Sequence, residues 1–165
     1  MWRTLKKTVI AVIGPRNAGK SSIIKSLTGC ETNGFKGFIT NKKTRKKIYV
    51  IASSPQENDL SEKELKSIFD EIKEDRDCLG LVIAIQPNRP TKRMRMENIF
   101  QLFSEGFNVF AFIVDPTYQG LPGNENNFIK ERLAGLNIKL TTLDGRKFAF
   151  ENATIIQAET KLYGK

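Results

Sequence analysis

Runs of consecutive apolar, often β-branched residues recur along the chain, at 8–13, 79–85 and 109–114. Because these runs do not alternate with polar positions, they predict strands that are buried on both faces of a sheet. Between and after them, apolar residues recur at the three- and four-residue intervals of helices. The predicted helices lie at 22–27, 59–75, 94–105 and 126–134. The pattern therefore predicts a mainly parallel sheet flanked by helices.

Two further strands are predicted between the first helix and the second. They lie at 34–40 and 46–52, and a polar, basic turn joins them. Ser61 followed by Glu64 predicts a capping box at the start of the next helix.

The C-terminal pattern predicts a β-hairpin. Asp144-Gly145 is a common hairpin turn, and it lies between apolar segments at 138–143 and 147–150. A last apolar strand is predicted at 153–157. The complete expectation is a three-layer α/β fold, with a mainly parallel sheet flanked by helices and a C-terminal β-hairpin.

One segment carries a complete phosphate-binding motif. Gly14-Pro15-Arg16-Asn17-Ala18-Gly19-Lys20-Ser21 matches G-x-x-x-x-G-K-[ST], and it lies between a predicted strand and a predicted helix, as this P-loop requires. Glycines allow the tight turn that points backbone N–H groups at phosphate oxygens. The lysine neutralises the β- and γ-phosphates, and the serine hydroxyl binds Mg²⁺. The predicted nucleotide-binding residues are Gly14, Pro15, Arg16, Asn17, Ala18, Gly19, Lys20, Ser21 and Ser22.

Composition restricts the class of protein. A length of 165 residues predicts one domain, 1–165, and contents of 39% hydrophobic and 27% charged residues are typical of soluble globular proteins. No apolar run approaches the ~20 residues that span a bilayer, so we expect no membrane partner and a cytoplasmic protein. The chain lacks histidine, and its two cysteines, Cys30 and Cys78, show no metal-binding spacing. Histidine-based catalysis is thereby excluded.

A formal net charge of +9 predicts polyanionic partners, either nucleic acid or phosphorylated substrates. Phe35, Phe38 and Tyr49 lie beside the second of three basic clusters, where they could offer a stacking surface to single strands. The third cluster follows a core strand and is expected at the nucleotide edge of the sheet. The clusters are Arg3/Lys6/Lys7, Lys42/Lys43/Arg45/Lys46/Lys47 and Arg89/Lys92/Arg93/Arg95.

The P-loop and the order of elements resemble those of small GTPase-like proteins. By this resemblance, Thr40 is the family's switch threonine, and Gln56 orients the attacking water. The segment 52–57, Ala-Ser-Ser-Pro-Gln-Glu, occupies the position of the family's D-x-x-G-Q-E motif, although Ala52 replaces the Asp and Pro55 the Gly. No base-reading N-K-x-D motif follows the strand at 109–114, so the sequence leaves ATP and GTP as alternatives.

A second resemblance is to nucleotide kinases, in the strand 81–85 and the turn that follows it. By this resemblance, Arg89 is a phosphate clamp, because an arginine fork matches phosphate oxygens in pairs.

Asp115 ends an apolar core strand and is a candidate partner for Mg²⁺, with Glu57 as the alternative.

The leading function is a Mg²⁺-dependent protein that binds ATP or GTP and hydrolyses it. Lys20, Gln56 and Arg89 are the candidate catalytic residues. One alternative is an NTP-dependent kinase of a nucleotide or small phosphate acceptor. The other is a non-catalytic nucleotide-binding module that associates with nucleic acid.

Overall fold

The structure is a computed structural model that describes residues 6–15, 17–57, 60–87, 94–103, 106–115 and 124–163. Six strands and five helices lie within these ranges. The strands are β1 (Lys7–Ile13), β2 (Lys36–Thr40), β3 (Lys47–Ile51), β4 (Cys78–Ile85), β5 (Phe107–Asp115) and β6 (Ile138–Asp144). The helices are α1 (Lys20–Thr28), α2 (Glu62–Glu74), α3 (Met96–Leu102), α4 (Asn124–Leu133) and α5 (Ala149–Thr160).

The strands form one sheet in the order β2-β3-β4-β1-β5-β6. Neighbouring strands are parallel except for the antiparallel pair β2 and β3. The three apolar runs of the sequence are β1, β4 and β5, which lie together at the centre, where both faces of a strand are buried. The predicted mainly parallel α/β fold is confirmed.

Two hydrophobic clusters, one on each face of the sheet, make the three layers. On one face, α2 and α3 pack through buried aromatic rings, with the ring centroids of Phe69 and Phe103 at 5.1 Å and those of Phe100 and Phe103 at 5.3 Å. On the other face, α1 contributes Ile24 and α5 contributes Ile156, both fully buried. Helices therefore cover both faces of the sheet from which the P-loop extends.

Strand β4 lies between β3 and β1, and this position places its carboxyl end beside the P-loop. The backbone N–H of Gly14 donates a hydrogen bond of 3.2 Å to the carbonyl of Ile85, the last residue of β4. The segments that follow β1, β3 and β4 consequently meet at one edge of the sheet, which we call the carboxyl edge. The opposite edge is called the amino edge.

Gly80 marks a very close approach between β4 and β1. It pairs with Thr8 in the parallel register, and a Cβ atom at Gly80 would lie 1.8 Å from the carbonyl oxygen of Thr8. No side chain can occupy that space without separating the two strands. A glycine is therefore required at this position.

The Ser61 cap at the start of α2, predicted from the Ser61/Glu64 pattern, is confirmed. The Ser61 hydroxyl accepts a hydrogen bond from the N–H of Glu64 and donates one to its carboxylate, both at 3.1 Å. At the other end of the helix, the Lys7 ammonium donates to the carbonyls of Ile72 and Asp75. Lys7, from the first basic cluster, therefore caps carbonyl groups at the C-terminal end of α2.

The predicted C-terminal hairpin is wrong. Residues 138–144 form β6, which is parallel to β5, and the chain then enters α5, which contains the predicted strand 153–157. The Asp144 carboxylate accepts from the N–H of Arg146, and the Asn152 amide donates to the Asp144 carbonyl. These bonds direct the Asp144-Gly145 turn into a helix, because Asp also favours turns that precede helices. The buried residues of α5 include Ala153, Ile156 and Thr160, at helical spacing.

Both cysteines are unpaired and buried, as expected for packing residues. No helix within the described ranges has the length and apolar character needed to cross a membrane.

Candidate nucleotide-binding site

The P-loop turns tightly between β1 and α1. Gly19 has φ +91° and is the residue that caps the start of α1, while Asn17 has φ +68°. Gly14 allows a close approach, since a Cβ there would lie 3.0 Å from the Cβ of Ala18. The loop therefore uses its two glycines as the motif predicts, and the unpaired N–H groups of the first turn of α1 point toward the loop.

Lys20 folds back over the loop. Its ammonium donates to the carbonyls of Gly14 at 2.7 Å and Pro15 at 2.8 Å, and the residue is only 6% exposed. Burial lowers the pKa of Lys20, and the nearby Glu57 carboxylate partly opposes this shift. A phosphate group would supply the compensating negative charge that the loop carbonyls provide only as dipoles.

Ser21 faces the end of β3. Its hydroxyl donates a hydrogen bond of 2.9 Å to the carbonyl of Ala52, the residue that directly follows β3. Around these residues is a cavity of about 390 Å³, which we call the phosphate cavity. Its described lining consists of Asn17, Gly19, Lys20, Ser21, Ser22, Asn33, Ser53, Ser54 and Glu57.

Glu57 is the acidic residue among the described lining of the phosphate cavity. Asp115 ends β5 and is nearly buried, at 9% exposure, with its carbonyl accepting from the N–H of Gly145. It is not among the described lining residues, so the structure brings Glu57 rather than Asp115 into the cavity with Ser21. A serine hydroxyl and a carboxylate are oxygen donors of the kind that Mg²⁺ prefers, so these residues fit a magnesium ion. The assignment of Asp115 stays a prediction.

Gln56 connects two of the loops at the carboxyl edge. It is 2% exposed, its amide N–H₂ donates to the Gln86 carbonyl at 2.9 Å, and its amide oxygen accepts from the Gln86 N–H at 3.4 Å. Orienting a water molecule would require these bonds to break. The water-orienting role stays a prediction, and the observed contacts favour a positioning role.

If Gln56 holds the loops together, the substitution Gln56→Leu will destabilise the fold. The leucine leaves the N–H and carbonyl of Gln86 without partners, at a cost of about 1–3 kcal/mol in the free energy of unfolding. Urea denaturation measures the change. Loss of nucleoside-triphosphate hydrolysis with unchanged stability would instead favour the water-orienting role.

Several predicted residues lie elsewhere. Arg16 and Arg89 fall outside the described residues, as do Lys92 and Arg93 of the third basic cluster.

The switch assignment of Thr40 is wrong. Thr40 pairs with Lys47, the first residue of β3, and therefore lies at the amino edge of the sheet, because β2 runs antiparallel to β3.

The aromatic residues beside the β2–β3 turn do not form an open stacking surface. Phe38 and Tyr49 pack edge to face with centroids 4.9 Å apart, and Tyr49 is 7% exposed. The exposed aromatic pair is instead Phe148 and Phe150, 71% and 62% exposed, with nearly parallel rings 5.9 Å apart. Sequence reasoning missed this pair because it assigned both residues to the hairpin.

A P-loop between a buried strand and a helix, with its lysine and serine on one cavity, defines a P-loop NTPase domain. The comparison with known families narrows this class. A family model described as 50S ribosome-binding GTPase matches residues 9–144. The chain belongs to this GTPase family and is a nucleotide-binding domain of the small GTPase-like type.

Solved structures show similarity at low sequence identity. A bacterial selenocysteine-specific elongation factor is 15% identical with a TM-score of 0.47, over 95% of this chain and 29% of that protein. A nucleolar GTP-binding protein 1 from Plasmodium falciparum is 17% identical with a TM-score of 0.46, over 98% of this chain and 89% of that protein. The chain thus spans less than a third of the elongation factor. No curated protein sequence matches the chain.

Proposed function

We propose that the protein binds GTP with Mg²⁺ and hydrolyses it. The observation that carries this proposal is the phosphate cavity, where Lys20, Ser21 and Glu57 come together within the region that matches the GTPase family. The preference for GTP over ATP rests on the family alone, because the sequence has no base-reading N-K-x-D motif.

Each residue of the cavity has a proposed task. The loop amides of 14–19 and the Lys20 ammonium hold the phosphates, since successive N–H groups and a buried cation stabilise negative charge. Ser21 and Glu57 would hold the metal, which would supply positive charge against the charge of the phosphates. The Ser21 hydroxyl can do so while its O–H donates to the Ala52 carbonyl, because the oxygen lone pairs remain free for the metal. Gln56 positions the loop that carries Glu57.

The experiment is phosphate release from GTP and from ATP, with Mg²⁺, by the wild-type chain. Turnover of GTP in excess of ATP is expected. Turnover of ATP alone would contradict the proposed nucleotide.

The metal assignment is tested by comparing Glu57→Gln with Asp115→Asn. We expect Glu57→Gln to raise the Mg²⁺ concentration that half-saturates binding of a fluorescent GTP analogue by about tenfold or more, because a carboxylate ligand is lost. Asp115→Asn, the matched variant outside the described lining of the cavity, should leave it unchanged. The reverse result would assign the metal to Asp115.

A non-catalytic nucleotide-binding module is the second candidate. Ala52 stands where the family motif has an acid, and the Gln56 amide is engaged by Gln86, so two groups that assist hydrolysis in the resemblance are missing or occupied. This candidate requires GTP binding without phosphate release.

The kinase alternative is tested by adding nucleoside monophosphates to the phosphate-release assay. Arg89, its proposed phosphate clamp, lies outside the described residues.

The exposed β2–β3 turn supports nucleic acid as a partner. Lys42, Lys43 and Arg45 are exposed, whereas Lys46 lies 3.8 Å from Asp77 and Lys47 binds Asp75 at 2.5 Å. Three of the five basic residues in this cluster therefore remain available for phosphate contacts.

Replacing these three residues with alanine should weaken the salt dependence of RNA binding. Each phosphate contact on a single strand contributes about 0.7 to the slope of log K against log salt, so the loss is about 2. Fluorescence anisotropy of a labelled single-stranded RNA between low and moderate salt measures the slope. The control is Lys63→Ala/Lys66→Ala/Lys130→Ala, which removes the same charge from exposed helical positions. Equal slopes in all three proteins would reject this turn as the nucleic-acid contact.

A further inference from the structure

A second, larger cavity lies at the amino edge of the sheet. Its volume is about 730 Å³, within the range of about 300–1,000 Å³ that is usual for small-molecule sites. It is formed by the end of α1, the β2–β3 turn, the start of β4 and the segment after α5. Its described lining includes Thr28, Ile39, Lys46, Leu79, Lys161 and Tyr163. We call it the amino-edge cavity.

The floor of the amino-edge cavity is apolar. Leucine and isoleucine side chains from five different segments meet there, and Ile39 and Leu79 are only half-buried. Their apolar surface is therefore in contact with water when the cavity is empty, and a ligand that covers it gains the free energy of removing that surface from water.

Two hydroxyl groups of the lining already donate hydrogen bonds within the chain. The Thr28 hydroxyl donates to the Ile24 carbonyl at 2.7 Å, and the Tyr163 hydroxyl donates to the Leu27 carbonyl at 3.2 Å. Burial raises the pKa of Tyr163 to about 12, so this hydroxyl remains a neutral donor at physiological pH. These two hydroxyl protons are therefore not available to a ligand.

The charged groups of the cavity all have one sign. Three lysines and no acidic residue occur among its described lining residues. Lys47 is neutralised by Asp75, and Lys46 has a long contact of 3.8 Å with the exposed Asp77. Lys161 forms no ion pair within the described part of the chain. Its backbone is fixed where α5 ends, with its N–H donating to the Gln157 carbonyl at 2.9 Å.

We propose that the amino-edge cavity binds a long-chain carboxylate, with its hydrocarbon chain on the apolar floor and its carboxylate at Lys161. An apolar floor and a cationic rim complement this kind of molecule at both ends. A free phosphate or a sugar would leave the floor uncovered, and a neutral lipid would leave Lys161 without a counter-charge. This ligand is separate from the nucleotide, which binds at the opposite edge of the sheet.

The test is isothermal titration calorimetry of the full chain with dodecanoate below its micellar concentration. Saturable binding is expected, and Lys161→Glu should weaken it about tenfold or more, because a charge-assisted contact becomes a repulsion. Lys130→Glu, the same charge reversal at an exposed position on α4, should leave the affinity unchanged. Dodecanol, which has the same chain length and no charge, should bind about tenfold more weakly than dodecanoate.

A second variant tests the floor. Leu79→Gln should weaken dodecanoate binding while leaving the affinity for the fluorescent GTP analogue unchanged, which shows that the domain remains folded. Absence of dodecanoate binding to the wild-type chain would overturn the proposal. Unchanged binding by both Lys161→Glu and Leu79→Gln would also overturn it, as would loss of binding in Phe148→Ala/Phe150→Ala, since that result would place the ligand on the exposed aromatic pair.

Discussion

GTP turnover is expected to fall by about 100-fold or more when Lys20 is replaced with alanine. The ammonium lies at the mouth of the P-loop, where its contacts with the Gly14 and Pro15 carbonyls are available for exchange with phosphate oxygens. Removing one preorganised donor from a site of developing negative charge typically costs about 10²–10³ in rate. Phosphate release under single-turnover conditions, together with the affinity for a fluorescent GTP analogue, separates the effects on chemistry and on binding.

The stability of Lys20→Ala should change little. Burial disfavours the charged form of this lysine, so removing it relieves a desolvation cost while it loses two hydrogen bonds. Lys25→Ala, in the last turn of the same helix and away from the loop, is the matched control and should retain turnover. Wild-type GTP affinity in Lys20→Ala would show that this loop does not hold the phosphates.

Gly80→Ala should destabilise the domain by about 3 kcal/mol or more. The added methyl group would meet the Thr8 carbonyl oxygen at 1.8 Å, which forces β1 and β4 apart at the centre of the sheet. For a domain of this size, the loss corresponds to a drop in Tm of about 6–12 °C. Thermal unfolding followed by circular dichroism measures it.

Gly34→Ala provides the control for this prediction. Gly34 is exposed, and a Cβ there would meet no atom within 4 Å, so Tm should remain within a few degrees of the wild type. Similar Tm values for the two variants would mean that β1 and β4 do not approach as closely as the structure shows.

The central strands were predictable because a strand that is buried on both faces appears in the sequence as a run of consecutive apolar residues. In β1 and β5, nearly every residue of the core segment is apolar, so length and composition alone identify a strand. The capping box of α2 was predictable for a similar reason, since it depends on residues only three positions apart.

Elements beyond 144 were not predictable from local pattern. Asp144-Gly145 suits both a hairpin and the turn that leads into α5, and the choice depends on the packing of Ile156 against α1. The aromatic residues Phe148 and Phe150 favour strands by propensity, yet Phe148 is the exposed N-cap residue of α5 and Phe150 lies exposed in its first turn. Tertiary contacts determine the secondary structure of this region, and the local sequence pattern does not reveal those contacts.

In the candidate site, too, the residues of a local motif were predictable and the contacts between distant segments were not. Lys20 and Ser21 could be placed from the sequence because the P-loop motif joins a strand and a helix without interruption. The contact of Gln56 with Gln86 could not be predicted, because it depends on β4 lying next to β3. Strand order depends on interactions between distant segments, and the hydrophobic pattern of each strand does not encode it.

The position of β1 in the sheet affects how the chain folds. Thr8 pairs with Gly80 and Lys7 with Phe107, so the neighbours of β1 lie roughly 70 and 100 residues further along the chain, and closing such loops costs chain entropy before any strand contact compensates it. During synthesis, the first strand leaves the ribosome long before its partners exist, whereas β2 and β3 pair within a short hairpin. The P-loop, which depends on β1, should therefore acquire its native geometry late in folding, and such non-local pairing is associated with slow folding.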